Sequence, residues 1–105
     1  MEQQKQRPKQ GRSLTRKIIE AHYVKGSLTP GEEVFLRVDQ TLTHDINAVM
    51  TYLAFEAIGL PRVRTECSVS YLDHNLLYID HKTPDDHIYL QSAARKCGVW
   101  VSRPG

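Results

Sequence analysis

The apolar positions change period several times along the chain, and each change predicts an element. Behind Ser13, which can cap a helix, Leu14, Ile18, Ala21 and His22 recur at helical spacing. They predict a first helix from Leu14 to about Val24, stopped by Gly26. Thr29-Pro30-Gly31 reads as a turn. From Glu33 to Asp39 the residues alternate, with Val34, Leu36 and Val38 on one face and Phe35 and Arg37 on the other, which predicts a strand. Thr41-Leu42-Thr43 leads into a second helix, His44 to Ile58, with Ile46, Val49, Met50, Leu53 and Ala57 as its apolar stripe. Gly59 suits the position after its end, and Pro61 bars continuation. Arg62 to Leu72 reads as a strand with Cys67, Val69 and Tyr71 in phase, and Asp73 to Lys82 as a loop or short helix without a clear period. Thr83 as cap, Pro84 as first helical residue, and Asp85 and Asp86 at the positive end of the dipole predict a third helix to about Lys96. That helix buries Leu90, Ala93, Ala94 and Cys97 and ends at Gly98. Val99-Trp100-Val101 is a last short strand.

Helix, strand, helix, strand, helix, strand is the order of an α/β protein with a mostly parallel sheet. At 105 residues there is room for one small domain. Hydrophobic content of 40% and charged content of 25% fit a soluble fold, and no apolar run reaches the roughly 20 residues that span a bilayer. The net charge of +2 conceals an asymmetry. The first 17 residues hold six basic side chains against Glu2, net +5, while the remainder has eight basic against eleven acidic, net −3. Residues 1–12 are rich in Gln, Lys and Arg, which predicts a disordered basic tail ahead of an α/β body at 13–105. No aromatic residue interleaves the tail, so nucleic acid is not the expected partner. Cys67 and Cys97 lie too far apart in sequence for a zinc ribbon, and they argue against a disulfide framework. A reducing, cytoplasmic setting fits them.

Candidate chemistry gathers at two acid–histidine pairs. Asp73-His74 follows the second strand, at the end where α/β proteins place ligands. A carboxylate beside an imidazole fixes its tautomer and suits it to proton transfer, although the same dipeptide also serves as a plain polar turn. His44-Asp45 opens the second helix, where a substrate carboxylate would meet the positive end of the dipole, or where Asp45 simply complements it. Asp80-His81 with Asp85-Asp86-His87 matches no zinc spacing, and capping already accounts for its acids. His22 reads as a core or domain-contact residue, Cys67 and Cys97 as buried small hydrophobes, and Trp100 as core or as a surface awaiting a neighbour. The chain has no glycine-rich phosphate loop and no nucleophile elbow.

Taken in order, the runs T-L-T-H-D-I-N-A-V-M-T-Y-L-A-F-E-A-I-G-L-P-R-V, S-V-S-Y-L-D-H-N and D-D-H-I-Y-L-Q-S-A-A-R-K-C-G-V-W-V-S-R-P-G resemble the N-terminal part of the aconitase superfamily. That superfamily includes aconitate hydratase, homoaconitase and the large subunit of isopropylmalate dehydratase. The resemblance covers about residues 13 to 105 and looks most like the bacterial aconitase-like branch. It implies part of a three-layer αβα domain and an iron–sulfur hydro-lyase, which moves water across the double bond of a tricarboxylic or related acid. In that family the Asp-His pair lies in the active site, which makes Asp73 and His74 the expected catalytic residues. The residue opening the second helix is Gln in aconitases. His44 followed by Asp45 looks like the dehydratase-type relatives, and these two are the expected substrate-binding residues.

The family motif continues beyond Arg-Pro-Gly into segments that carry the cluster cysteines, and Arg103 belongs to the loop scaffold. The resemblance therefore implies a [4Fe–4S] cluster for the full-length family and none on this chain alone, which lacks three thiolates. The expected partners are the remainder of the fold, on the same or a separate chain, and an acid substrate. The expected state of this piece by itself is inactive. Two other readings are a non-catalytic module that contacts RNA or an acidic partner through the basic tail, and a metal-binding mini-domain using His81 and His87.

Overall fold

The computed structural model describes residues 11–104, so the basic tail expected at 1–12 falls almost entirely outside the described residues. The chain divides into two compact units, the first ending at Arg37 and the second running from Val38. The first unit holds α1 (Leu14–Ala21), β1 (Tyr23–Gly26) and β2 (Val34–Leu36). Ser13 caps α1 by accepting from Arg16 N–H, as the sequence predicts. The helix ends three residues earlier than expected, because Tyr23–Gly26 turns back as a strand and pairs antiparallel with β2. β2 is shorter than the predicted Glu33–Asp39 and belongs to this hairpin, not to a parallel sheet. Gly26 makes the tight return possible: at φ +100° a Cβ there would sit 2.5 Å from the Glu33 carbonyl oxygen. Arg16 ties helix to hairpin, donating to Glu20 at 2.8 Å and to the Leu28 carbonyl at 2.7 Å. His22 is the helix C-cap, half-buried, with Nδ1 on the Ile18 carbonyl at 2.7 Å.

The second unit alternates strictly: β3 (Gln40–His44), α2 (Asp45–Ile58), β4 (Cys67–Tyr71), α3 (Lys82–Cys97) and β5 (Trp100–Ser102). The three strands form a parallel sheet in the order β3-β4-β5. Two crossovers step the same way along the sheet, and α2 and α3 lie on one face, where they pack on each other; general chain chirality makes such connections right-handed. This gives two layers of an αβα sandwich. Thr41-Leu42-Thr43, expected only to lead into the second helix, lies within β3. β4 is shorter than Arg62–Leu72, and the segment before α3 is a loop.

Strand alternation sorts the sheet residues. Thr41, Thr43, Ser68, Ser70 and Val101 share the face that carries the helices, and Ser68 and Ser70 are buried there. Hydroxyls link along that face, Thr41 to Ser68 at 2.5 Å and Thr65 to Ser68 at 2.6 Å. Leu42, Val69, Tyr71 and Trp100 share the other face, with Trp100 73% exposed. The core joins Ala48 and Tyr52 of α2, Leu72, the α3 residues Leu90, Ala93, Ala94 and Cys97, and Val99.

The stripe expected on α2 is therefore corrected. The helix buries Asp45, Ala48 and Tyr52, with Val49 and Phe55 partly covered, while Ile46, Met50 and Leu53 are exposed. The stripe expected on α3 is the buried one, with His87 added to it. Cys97 is buried, but Cys67 is only half-buried on the uncovered sheet face. α3 also starts earlier than expected. Its first turn includes Thr83 and Pro84, and the side chain that serves its start is Asp80, which accepts from Lys82 N–H at 2.9 Å.

Leu90 is fully buried and Leu77 is highly exposed, although both are leucines of the same unit. Leu90→Ala should lower unfolding free energy in urea by about 2 to 5 kcal/mol, whereas Leu77→Ala should stay within about 0.5 kcal/mol. Equal effects would contradict this core.

Candidate functional site

The parallel register sets His44, the last residue of β3, opposite Tyr71, the last residue of β4. The segments that leave these strands, Asp45 at the head of α2 and Leu72–Asn75 after β4, therefore emerge at the same carboxyl end of the sheet. This is the crevice end of an open α/β sheet.

His44 is the N-cap of α2. Its Nδ1 accepts from Ile46 N–H at 3.2 Å, and its own N–H donates to Asn47 Oδ1 at 3.0 Å, a reciprocal cap. Accepting at Nδ1 places the ring proton on Nε2. The next residue, Asp45, carries a carboxylate whose side chain is 1% exposed. It accepts from three donors. His74 N–H reaches Oδ1 at 3.1 Å and Oδ2 at 3.3 Å, Asn75 N–H reaches Oδ2 at 2.8 Å, and His87 Nε2 reaches Oδ2 at 3.1 Å. His74 Nδ1 lies 3.6 Å from Oδ1. Burial pushes the Asp45 carboxyl up, but the bonds from Asn75, His87 and His74 and its own backbone N–H outweigh that and hold it below the ordinary carboxylate range.

The turn that Asp45 grips presents Asp73 and His74. Asp73 Oδ1 accepts from His74 Nδ1 at 2.6 Å, which leaves Nε2 as the nitrogen available for proton transfer. The His74 side chain is 47% exposed, and its ring centroid lies 4.4 Å from that of His44 at a 32° tilt. On the buried side His87 closes the cluster. Its Nε2 is on Asp45, its Nδ1 is 2.8 Å from Tyr78 Oη, and the two rings meet edge to face.

All four sequence candidates, His44, Asp45, Asp73 and His74, thus meet at one end of one sheet. In this chain Asp45 faces protein donors, so its carboxylate acts as the support of the turn. His87 and Tyr78 belong to the same constellation, which residue spacing alone does not reveal. His87 is remote from Asp45 in sequence, and what turns it inward is its phase with Leu90, Ala94 and Cys97 on the buried stripe of α3, not the pairing with His81. His81 lies at the exposed start of α3 and is not brought to His87. Donor atoms of His44, Asp45 and His74 lie within 4.8 Å of one another, a grouping of the cation-ligand type among the described residues. Both Nδ1 atoms and both Asp45 oxygens already have protein partners, so the three groups serve one another here.

No family model matches the chain, and no solved structure matches it. Curated relatives do. The chain is 33% identical over 87 residues to the 3-isopropylmalate dehydratase large subunit of Thermodesulfovibrio yellowstonii, covering 83% of this chain and 18% of that protein. It is 31% identical over 90 residues to that of Thermoanaerobacter pseudethanolicus, covering 85% of this chain and 21% of the relative, and 28% identical over 78 residues to that of Endomicrobium trichonymphae, covering 74% and 17%. These matches, which run along most of the chain, show that it belongs to the aconitase superfamily. Within it, the similarity is to isopropylmalate dehydratase large subunits, of whose length the chain spans about a fifth.

The Asp45 carboxylate carries a pH dependence. Its pKa is lowered on folding, so the stability it contributes is present above the unfolded value of about 3.9 and is lost as pH falls through the folded value. Asp45→Asn should lose about 1 to 3 kcal/mol at neutral pH, measured by urea unfolding. The gap from the parent chain should shrink steadily below about pH 4. A gap that is constant with pH would contradict a folded carboxylate held below its ordinary range.

Proposed function

We propose that this chain supplies one corner of the active site of a hydro-lyase acting on a hydroxy acid, and that it works together with the rest of an aconitase-type fold. His74 is the proton-transfer group, Asp73 fixes its tautomer, and His44 stands beside it on the substrate side. Asp45 holds the turn from below. The observation that supports this most strongly is the Asp45 clamp, which places an oriented, half-exposed imidazole at the carboxyl ends of β3 and β4. The names of the curated relatives supply the reaction class.

The resemblance brings with it a [4Fe–4S] cluster, which would act as the Lewis acid on the substrate hydroxyl in a complete enzyme. The residues of this chain do not fit that group. A cluster is held by several thiolates in fixed geometry. The sequence has two cysteines, one half-buried on the uncovered sheet face and the other sealed in the core by α3. The cluster ligands would therefore come from other segments, and catalysis needs groups converging from those segments as well. This piece alone is proposed to be inactive.

A complementation assay tests the reading. The chain is mixed anaerobically with a polypeptide carrying the remaining four fifths of a related large subunit and its small subunit, and hydration of isopropylmaleate or cis-aconitate is followed by ultraviolet absorbance. Activity should arise only in the mixture, and His74→Ala should lower it by about 100-fold or more. Turnover by the chain alone, or full activity with His74→Ala, would overturn the proposal.

A further inference from the structure

We propose that His87, itself held by Tyr78, is the positioning residue that sets the orientation of His74, acting through the Asp45 carboxylate. The inference rests on the reading of His74 as the working imidazole. Its geometry stands independently of the reaction.

The protonation pattern follows from the partners. The Asp45 carboxylate is held ionised and can only accept, so His87 Nε2 must carry a proton and donate to Oδ2 at 3.1 Å. The other ring nitrogen, Nδ1, shares a second hydrogen bond with Tyr78 Oη at 2.8 Å. The ring therefore cannot flip without breaking both bonds. Its side chain is 4% exposed, so water cannot replace them. Leu90, Ala94 and Cys97, on the same face of α3, fix the backbone that carries it.

The consequence reaches the surface through two further contacts. A carboxylate turns easily about its terminal torsion, which has broad minima. Here Oδ2 is shared between His87 Nε2 and Asn75 N–H, and that fixes the carboxylate plane. The same plane then presents Oδ1 to His74 N–H and sets it 3.6 Å from His74 Nδ1. Asp73 fixes the His74 tautomer from the solvent side, where a 2.6 Å bond between two half-exposed groups competes with water. Asp45 opposes it from the protein side. The charged and titratable groups facing His74 are thus Asp73, Asp45 and the stacked His44, with His87 behind Asp45. Of these, only His87 has both ring nitrogens engaged by hydrogen bonds inside the fold.

The test uses ring-nitrogen NMR of the 15N-labelled full chain near neutral pH, without substrate. The parent chain should show His87 with its proton on Nε2 and His74 with its proton on Nδ1, each as one set of signals. His87→Gln keeps an N–H donor toward Asp45 and should leave the His74 ring signals in place. His87→Leu removes the donor and should move them toward the average of the two tautomers, with circular dichroism unchanged. Tyr78 is exposed enough for Tyr78→Phe to leave the core intact. That variant should shift the His87 ring signals and, less strongly, those of His74, and it carries the test should His87→Leu not fold. His74 signals that stay fixed in every folded variant, or that respond equally to His87→Gln and His87→Leu, would overturn the inference. Failure of the hydro-lyase reading would appear in the complementation assay and leave these spectra as predicted.

Discussion

One buried carboxylate governs the carboxyl end of this sheet. Asp45 is the first residue of α2, sits beneath the turn after β4, and touches a side chain of α3, so a single anion links α2, that turn and α3. Burying a charge is unfavourable unless its hydrogen bonds are nearly complete. Here two backbone amides, an imidazole and the head of a helix dipole supply them. The same bonds that make burial tolerable fix the Asp73–His74 turn in space. Stability and site geometry therefore depend on the same atoms.

Much of this was legible in the chain itself. The α/β alternation, the caps at Ser13 and Gly59, the buried stripe of α3 and the two acid–histidine pairs all follow from spacing and residue type. What escaped has physical reasons. β3 holds Thr41, Leu42 and Thr43 between polar neighbours, too short and too polar to signal a strand. The hairpin β1–β2 escaped because Tyr23 and Val24 continue the apolar phase of α1, while the reversal is imposed by pairing with β2. The α2 stripe misled because hydrophobicity was taken to mean burial. The sheet face beneath the helices is lined by Ser and Thr, and α2 meets it with Ala48 and Tyr52. His87 was invisible as a partner of Asp45 because only the fold brings α3 to the head of α2.

The exposed apolar residues bear on the proposed function. Ile46, Met50 and Leu53 line one face of α2, and Leu42, Val69, Tyr71 and Trp100 line the uncovered sheet face. Contiguous apolar surfaces of this kind usually mark places where other structure packs. The curated relatives are about five times as long as the segments that match. Among the described residues no helix is long and apolar enough to cross a membrane.

Backbone hydrogen exchange at the turn tests the central interaction most directly. If the Asp45 carboxylate clamps it, the amides of His74 and Asn75 should exchange at least about tenfold more slowly than those of Leu76 and Leu77 in the same loop. That protection should disappear in Asp45→Ala. Equal exchange along residues 74–77 in the parent chain would mean that the carboxylate does not hold the turn.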